Sequence, residues 1–207
     1  MFGASFFKGK DDFKINWEDQ LASGKVANGL LSFLPTDHLT PIVFVCIGTD
    51  RSTGDSLGPL VGSLVSEKNL PENFYIYGTL EEPIHAVNLA EKLEIIETTF
   101  HNPFVIGIDA CLGHSKNVGT IQIKQGALRP GAGVNKTLPS VGDIHMTGIV
   151  NISGFMEFFV LQNTRLYLVM NLAKTISDGI YKAGLLYNFQ QRTKTKSLLI
   201  NEDTVSK

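Results

Sequence analysis

Residues 41–59, PIVFVCIGTDRSTGDSLGP, combine three local signals in one stretch. The run from Pro41 to Ile47 is apolar and rich in β-branched residues, which predicts a strand buried on both faces. Gly48 ends this run, and a polar turn follows. Leucine and valine then recur at helical spacing, at positions 57, 60, 61, 64 and 65. A buried strand, a turn and a helix open an α/β sheet, whose loops beyond the carboxyl ends of the strands are where ligands bind.

Buried strands alternate with amphipathic segments along the rest of the chain. This alternation predicts an α/β fold, a three-layer α-β-α sandwich with a mostly parallel central sheet. Further strands are predicted at residues 73–78, 104–108, 119–124 and 144–152, and helices at residues 17–33, 57–69, 83–100 and 155–182, the last with a break near Gln162 and Asn163. We expect residues 1–190 to form a single domain and the polar residues 191–207 to form a tail.

Composition and charge exclude several functional classes. The 207 residues are 43% hydrophobic and carry a net charge of −2, which predicts one sizeable core and no nucleic-acid partner. No apolar run is long enough to span a membrane, and the first residues lack the apolar core of a signal peptide, so we expect a cytoplasmic protein. Cys46 and Cys111 lie in or beside apolar strands and are expected to be reduced, buried thiols.

Two aspartates follow buried strands, and their positions suggest chemistry. Asp55 comes after the first of these strands, and Asp109 ends the strand predicted at residues 104–108. If these strands are neighbours, the carboxyls converge, and like charge raises the pKa of one so that the pair can supply a base and an acid. Two other interpretations stay open: capping or turn residues, and a metal site completed by His145. The glycine patterns that bind nucleotides are absent.

A glycine-rich loop, GALRPGAGVNK at residues 126–136, is the second unusual stretch. Its glycines allow close approach of the backbone to a ligand, and its cations lie nearby. A surface loop with no binding role is the alternative. Together with the turn after the first strand, whose amides are candidates for holding an oxyanion, it gives the predicted substrate-binding residues: Gly48, Thr49, Asp50, Arg129, Gly131, Gly133 and Lys136.

Three blocks of the sequence resemble the germination protease of bacterial spores. They are GTDRSTGDSLGP at residues 48–59, VIGIDA at residues 105–110, and TIQI at residues 120–123 followed by RPGAGV at residues 129–134. The sequence also resembles the smaller YyaC-type sporulation proteins, a family with the same core but without the longer protease chain. The resemblance implies the fold of the hydrogenase maturation proteases and an atypical aspartic endopeptidase that degrades small acid-soluble spore proteins in a sporulating cell.

The resemblance implies that Asp55 and Asp109 are the catalytic pair, acting without a cofactor on a protein or peptide substrate. Three positions depart from the protease pattern: Gly54 replaces proline, Thr49 replaces asparagine and Arg129 replaces histidine. Two alternatives follow from the same likeness. One is a processing protein of the hydrogenase maturation type that binds a divalent transition metal through Asp55, Asp109 and His145. The other is an inactive sporulation protein that binds a partner; homo-oligomer formation is left open.

Overall fold

The computed structural model describes residues 12–37, 39–131 and 138–205, with side chains described as far as Gln190. The strands are β1 (Phe13–Asn16), β2 (Ile42–Cys46), β3 (Phe74–Tyr77), β4 (Phe104–Gly113), β5 (Thr120–Gln125) and β6 (Ile144–Ile152). The α-helices are α1 (Ala22–Leu31), α2 (Leu57–Ser66), α3 (Leu89–Thr99), α4 (Glu157–Gln162) and α5 (Leu166–Val205), with short 3-10 turns at Gly54–Ser56 and Ser115–Asn117.

The six strands form one sheet in the order β1-β5-β6-β4-β2-β3. Neighbours from β6 through β4 and β2 to β3 run parallel, whereas β5 pairs antiparallel with both β6 and β1. Helices α1, α2 and α5 cover one face of the sheet, and α3 covers part of the other. The predicted three-layer α/β sandwich is therefore confirmed, with an antiparallel pair added at one edge.

Strand β2 is the centre of both cores, as its uninterrupted apolar sequence predicts. Ile42, Phe44 and Cys46 point into the core formed with α1, α2 and α5. Val43 and Val45 point to the opposite face, where they pack with α3. Every residue of the strand is buried, which requires a helix on each side and fixes the layered arrangement.

Several predicted boundaries are wrong, for identifiable reasons. The helix predicted at residues 17–33 begins only at Ala22, because the residues before Trp17 pair with β5 as an edge strand. The helix predicted at residues 83–100 begins at Leu89, because Ile84 forms a bridge with Ile47 instead. The break predicted near Asn163 is confirmed, but α5 continues past residue 182 to Val205. Among the described residues, none of the helices has the length and apolar character to cross a membrane.

Candidate active site

The turn after β2 brings Asp55 back to the end of that strand. Gly48 has a φ of +147°, which side chains disfavour, and its amide donates to the carbonyl of Ile84 at 2.8 Å. The amide of Thr49 donates to the carbonyl of Asp55 at 3.1 Å. A Cβ atom on Gly48 would lie 1.9 Å from that same carbonyl oxygen. The turn is therefore closed tightly on itself, and Asp55 sits in the 3-10 turn immediately before α2.

Asp109 lies where β4 passes the end of β2. The last pair between the two strands is Cys46 with Ile108, so Asp109 is the first residue of β4 beyond it. The prediction that the strand ends at Asp109 is wrong, because β6 accompanies β4 as far as Gly113. Asp109 is half-buried, and one oxygen of its carboxyl accepts a hydrogen bond from the Ala110 amide at 2.8 Å.

The two carboxyls differ in their affinity for a proton. Burial, with a smaller contribution from the negative charge of Asp55, raises the pKa of Asp109 to about 8, although the Ala110 amide opposes the shift. Burial also raises the pKa of Asp55, and the nearby Ser52 hydroxyl opposes that shift. Asp109 therefore keeps its proton at neutral pH.

Three further residues lie around the pair: Thr147 and Ser52, which sequence reasoning missed, and Cys111, which it predicted only as a reduced, buried thiol. Thr147 on β6 is directly opposite Asp109 and only 7% exposed. Ser52 is 6% exposed and close enough to Asp55 to affect its pKa, but its hydroxyl forms no hydrogen bond of normal geometry within the described structure. Cys111 is half-buried, and burial raises its pKa, so it is a neutral thiol. A count of strand register from Asp109 would have found Thr147, but the register is not readable from one sequence.

The alternative metal ligands do not gather around one point. His145 pairs with Gly107, two residues before Asp109 along β4, and its Nδ1 donates to the carbonyl of Gly126 at 2.8 Å. The described residues contain no group of three or more His, Cys, Asp or Glu side chains that could hold a metal ion. The side chains of Asp55, Asp109 and His145 therefore do not fit a three-ligand metal centre.

The predicted substrate-binding residues lie in two places. The amides of Gly48 and Thr49 donate to carbonyls within the protein, so they are not available as oxyanion donors. Asp50 and Arg129 are exposed, and among the described residues Arg129 forms no ion pair with Asp55 or Asp109. Gly131 is half-buried with a φ of +73°, while Gly133 and Lys136 lie outside the described residues. Their binding role stays a prediction.

The raised pKa of Asp109 predicts that the stability of the fold depends on pH. The pKa of about 8 lies above the ordinary value of 3.8, so the folded chain keeps a proton that the unfolded chain has lost. The free energy of unfolding should therefore fall as pH rises from the ordinary pKa of 3.8 to about 8, by at most about 1.4 kcal/mol per pH unit. Urea unfolding at several pH values should show that this fall with pH is smaller in Asp109→Asn than in the wild type. The control Asp50→Asn changes an exposed carboxyl and should show the same fall as the wild type. Parallel curves for the wild type and Asp109→Asn would contradict the assignment.

The chain is thus an α/β sandwich protein with a half-buried carboxyl pair at the carboxyl edge of its parallel strands. The chain belongs to the DUF1256 family, described as a protein of unknown function, whose model matches residues 14–179. It is 55% identical over 166 residues to the uncharacterized protein YyaC of Bacillus subtilis (strain 168), covering 80% of this chain and 80% of that protein. The predicted YyaC-type relationship is therefore confirmed.

Among solved structures, the chain is similar to the [NiFe] hydrogenase maturation protease HycI from Thermococcus kodakarensis KOD1. Its TM-score is 0.46 and its sequence identity 16%, and the similarity covers 73% of this chain and 97% of that chain.

Proposed function

We propose that the chain is an endopeptidase in which Asp55 and Asp109 activate water against a peptide bond. The observation that supports this function is the unequal carboxyl pair: Asp109 holds its proton at neutral pH beside Asp55, which ionises first. Hydrolysis of an amide needs a base to take a proton from water and an acid to supply one to the leaving nitrogen. Both are present at one edge of the sheet.

In the proposed mechanism the Asp55 carboxylate takes a proton from water as the oxygen attacks the carbonyl carbon. Asp109 donates a hydrogen bond to the carbonyl oxygen as negative charge develops there, and keeps its proton in this step. The carbon–nitrogen bond then breaks as Asp109 gives this proton to the leaving nitrogen, and the proton that Asp55 took from water passes to Asp109 and restores the starting pair. Water is consumed, a new carboxyl and a new amine form, and no covalent intermediate with the chain arises.

The resemblance of residues 48–59, 105–110, 120–123 and 129–134 to the germination protease supports a small acid-soluble spore protein as the substrate. The test is to incubate the purified full-length chain with such a protein, and with disordered β-casein as a general substrate, and to identify new termini by mass spectrometry. New termini in either protein would support the proposal. Two intact proteins would contradict it and favour the alternative of a partner-binding protein without activity.

The pH dependence of cleavage should reflect the two carboxyls. Activity should rise with pH as Asp55 loses its proton, because the base must be ionised. It should fall again above about pH 8 as Asp109 loses the proton that it must donate. The measurement is kcat/KM for spore-protein cleavage across this range. A rate that continues to rise at higher pH would exclude Asp109 as the acid.

A further inference from the structure

An open hollow of about 550 Å³ lies beside α4, on the side of that helix away from Leu161, which contacts the turn that holds Asp55. It is formed by the end of β6, the following turn and one side of α4. The lining residues share an absence of charge: Asn151, Ile152, Ser153, Gly154, Phe155, Met156, Phe159, Val160 and Asn163. Glu157 lies beside the hollow, but its carboxylate accepts from the Gly154 amide at 3.4 Å. The lining of the hollow is therefore uncharged, with one carboxylate beside it.

The apolar side chains around the hollow are unusually exposed. Phe155 is 97% exposed, and Met156, Phe159 and Ile152 are each at least 48% exposed. Met156 also has a left-handed backbone, with φ 56° and ψ 45°, which costs energy in a residue with a side chain. Exposed apolar residues clustered around a concavity are typical of a site that binds another molecule.

The hollow is connected to the candidate active site by two elements. Leu161 of α4 packs on Gly54, where a Cβ atom would lie 2.7 Å from its Cδ2, so α4 separates the hollow from the turn that holds Asp55. Strands β4 and β6 continue together past Asp109 until Gly113 pairs with Ile152 at the rim of the hollow. Gly113 lies four positions after Asp109 along β4, which is about 13 Å.

We propose that this hollow binds a bulky apolar side chain of the polypeptide that is cut, about four residues from the bond held at Asp55 and Asp109. The inference rests on the proposed function and adds a specificity site to it. An extended segment running along the β4–β6 ribbon spans the interval with about four residues. The lining favours an aromatic or aliphatic side chain over a charged one, because it offers exposed apolar surface to cover and no charged side chain to pair with.

Binding can be tested without cleavage in the full-length Asp55→Asn/Asp109→Asn protein. The probe is N-acetyl-phenylalanine amide, with N-acetyl-aspartic acid amide as the charged control, and the readout is the shift of backbone amide NMR signals. Signals from residues 151–163 should move with the first probe and not with the second. Phe159→Ser should weaken binding about tenfold, because the ring lines the hollow.

Phe158→Ser is the matched control, since Phe158 is on the same helix, is 60% exposed and does not line the hollow. With the carboxyls intact, Phe159→Ser should lower kcat/KM for β-casein about tenfold and Phe158→Ser should not.

Equal effects of the two variants, or shifts of NMR signals that avoid residues 151–163, would overturn the inference. So would a dimer in sedimentation that Phe155→Ser dissociates, because a second copy would then be the occupant. Binding of the probe without cleavage of any protein would support the apolar site and count against the peptidase.

Discussion

The Asp109→Asn protein should cleave its substrate at least about a thousandfold more slowly than the wild type. Asparagine keeps the shape of the side chain but cannot donate the proton that the leaving nitrogen needs. Asp55→Asn should lose a similar factor, because it removes the base from the same reaction. The double variant should be no slower than the slower single variant, since the two carboxyls act as a unit. The measurement is the initial rate of appearance of new termini, with circular dichroism to confirm folding.

Three controls make this prediction specific. Asp143→Asn changes a carboxyl that accepts from the Val105 amide at 2.8 Å, at the opposite end of the sheet, and should keep its rate if it folds. Dialysis against a chelator should leave the rate of the wild type unchanged, because no step of the proposed mechanism uses a metal. A folded Asp55→Asn or Asp109→Asn protein with the full rate would disprove the carboxyl mechanism.

Replacing glycine by alanine should have opposite effects at two helical positions of this chain. In α2, a Cβ atom on Gly58 would lie 2.1 Å from the carbonyl oxygen of Ile47 and 2.7 Å from its nitrogen. Because both are backbone atoms of the central strand region, they cannot move aside cheaply, and Gly58→Ala should destabilise the fold by at least about 2 kcal/mol. In α1, a Cβ on Gly24 would meet nothing within 4 Å. Gly24→Ala should therefore stabilise the fold by about 0.5–1 kcal/mol.

The measurement is urea unfolding of both variants beside the wild type. Because helix propensity alone predicts a gain at both positions, the difference in sign isolates the close contact between α2 and the strand. It also gives a physical reason for the glycine in the Leu57-Gly58-Pro59 run: α2 starts directly against the end of β2. A stable Gly58→Ala protein would show that this contact relaxes.

The sequence predicts the fold best where one pattern is strong over a whole element. The apolar run of β2 and the extent of β6 at residues 144–152 agree with the structure, and so does the break near Asn163. Weak or competing patterns led to missed or wrong predictions. The four residues of β1, FKIN, alternate apolar and polar side chains over too short a run to predict a strand, and they depend on a pairing with β5 more than a hundred residues later. Ile84 belongs to an apolar helical pattern, but its bridge to Ile47 outweighs that local preference.

The candidate site could be predicted only in part for a related reason. Asp55 and Asp109 stand out because each lies near the end of an apolar run. Thr147 is close to Asp109 because of strand register, and Leu161 is close to Gly54 because α4 folds back over the turn. Neither placement follows from spacing along the chain. The inequality of the two carboxyls is also tertiary, since burial by distant segments is its main cause.

The contact between α1 and α5 has a consequence for how the chain matures during synthesis. A Cβ on Gly179 would lie 2.3 Å from Val26, and Lys182 donates to the Ser23 hydroxyl at 2.7 Å, so the two helices are closely apposed. Helix α1 is synthesised well before α5, and the part of its apolar side that contacts α5 has no cover until that helix emerges. The docking of α1 must therefore wait until α5 has been translated, and a chain released before then would expose Val26 to chaperones and proteases.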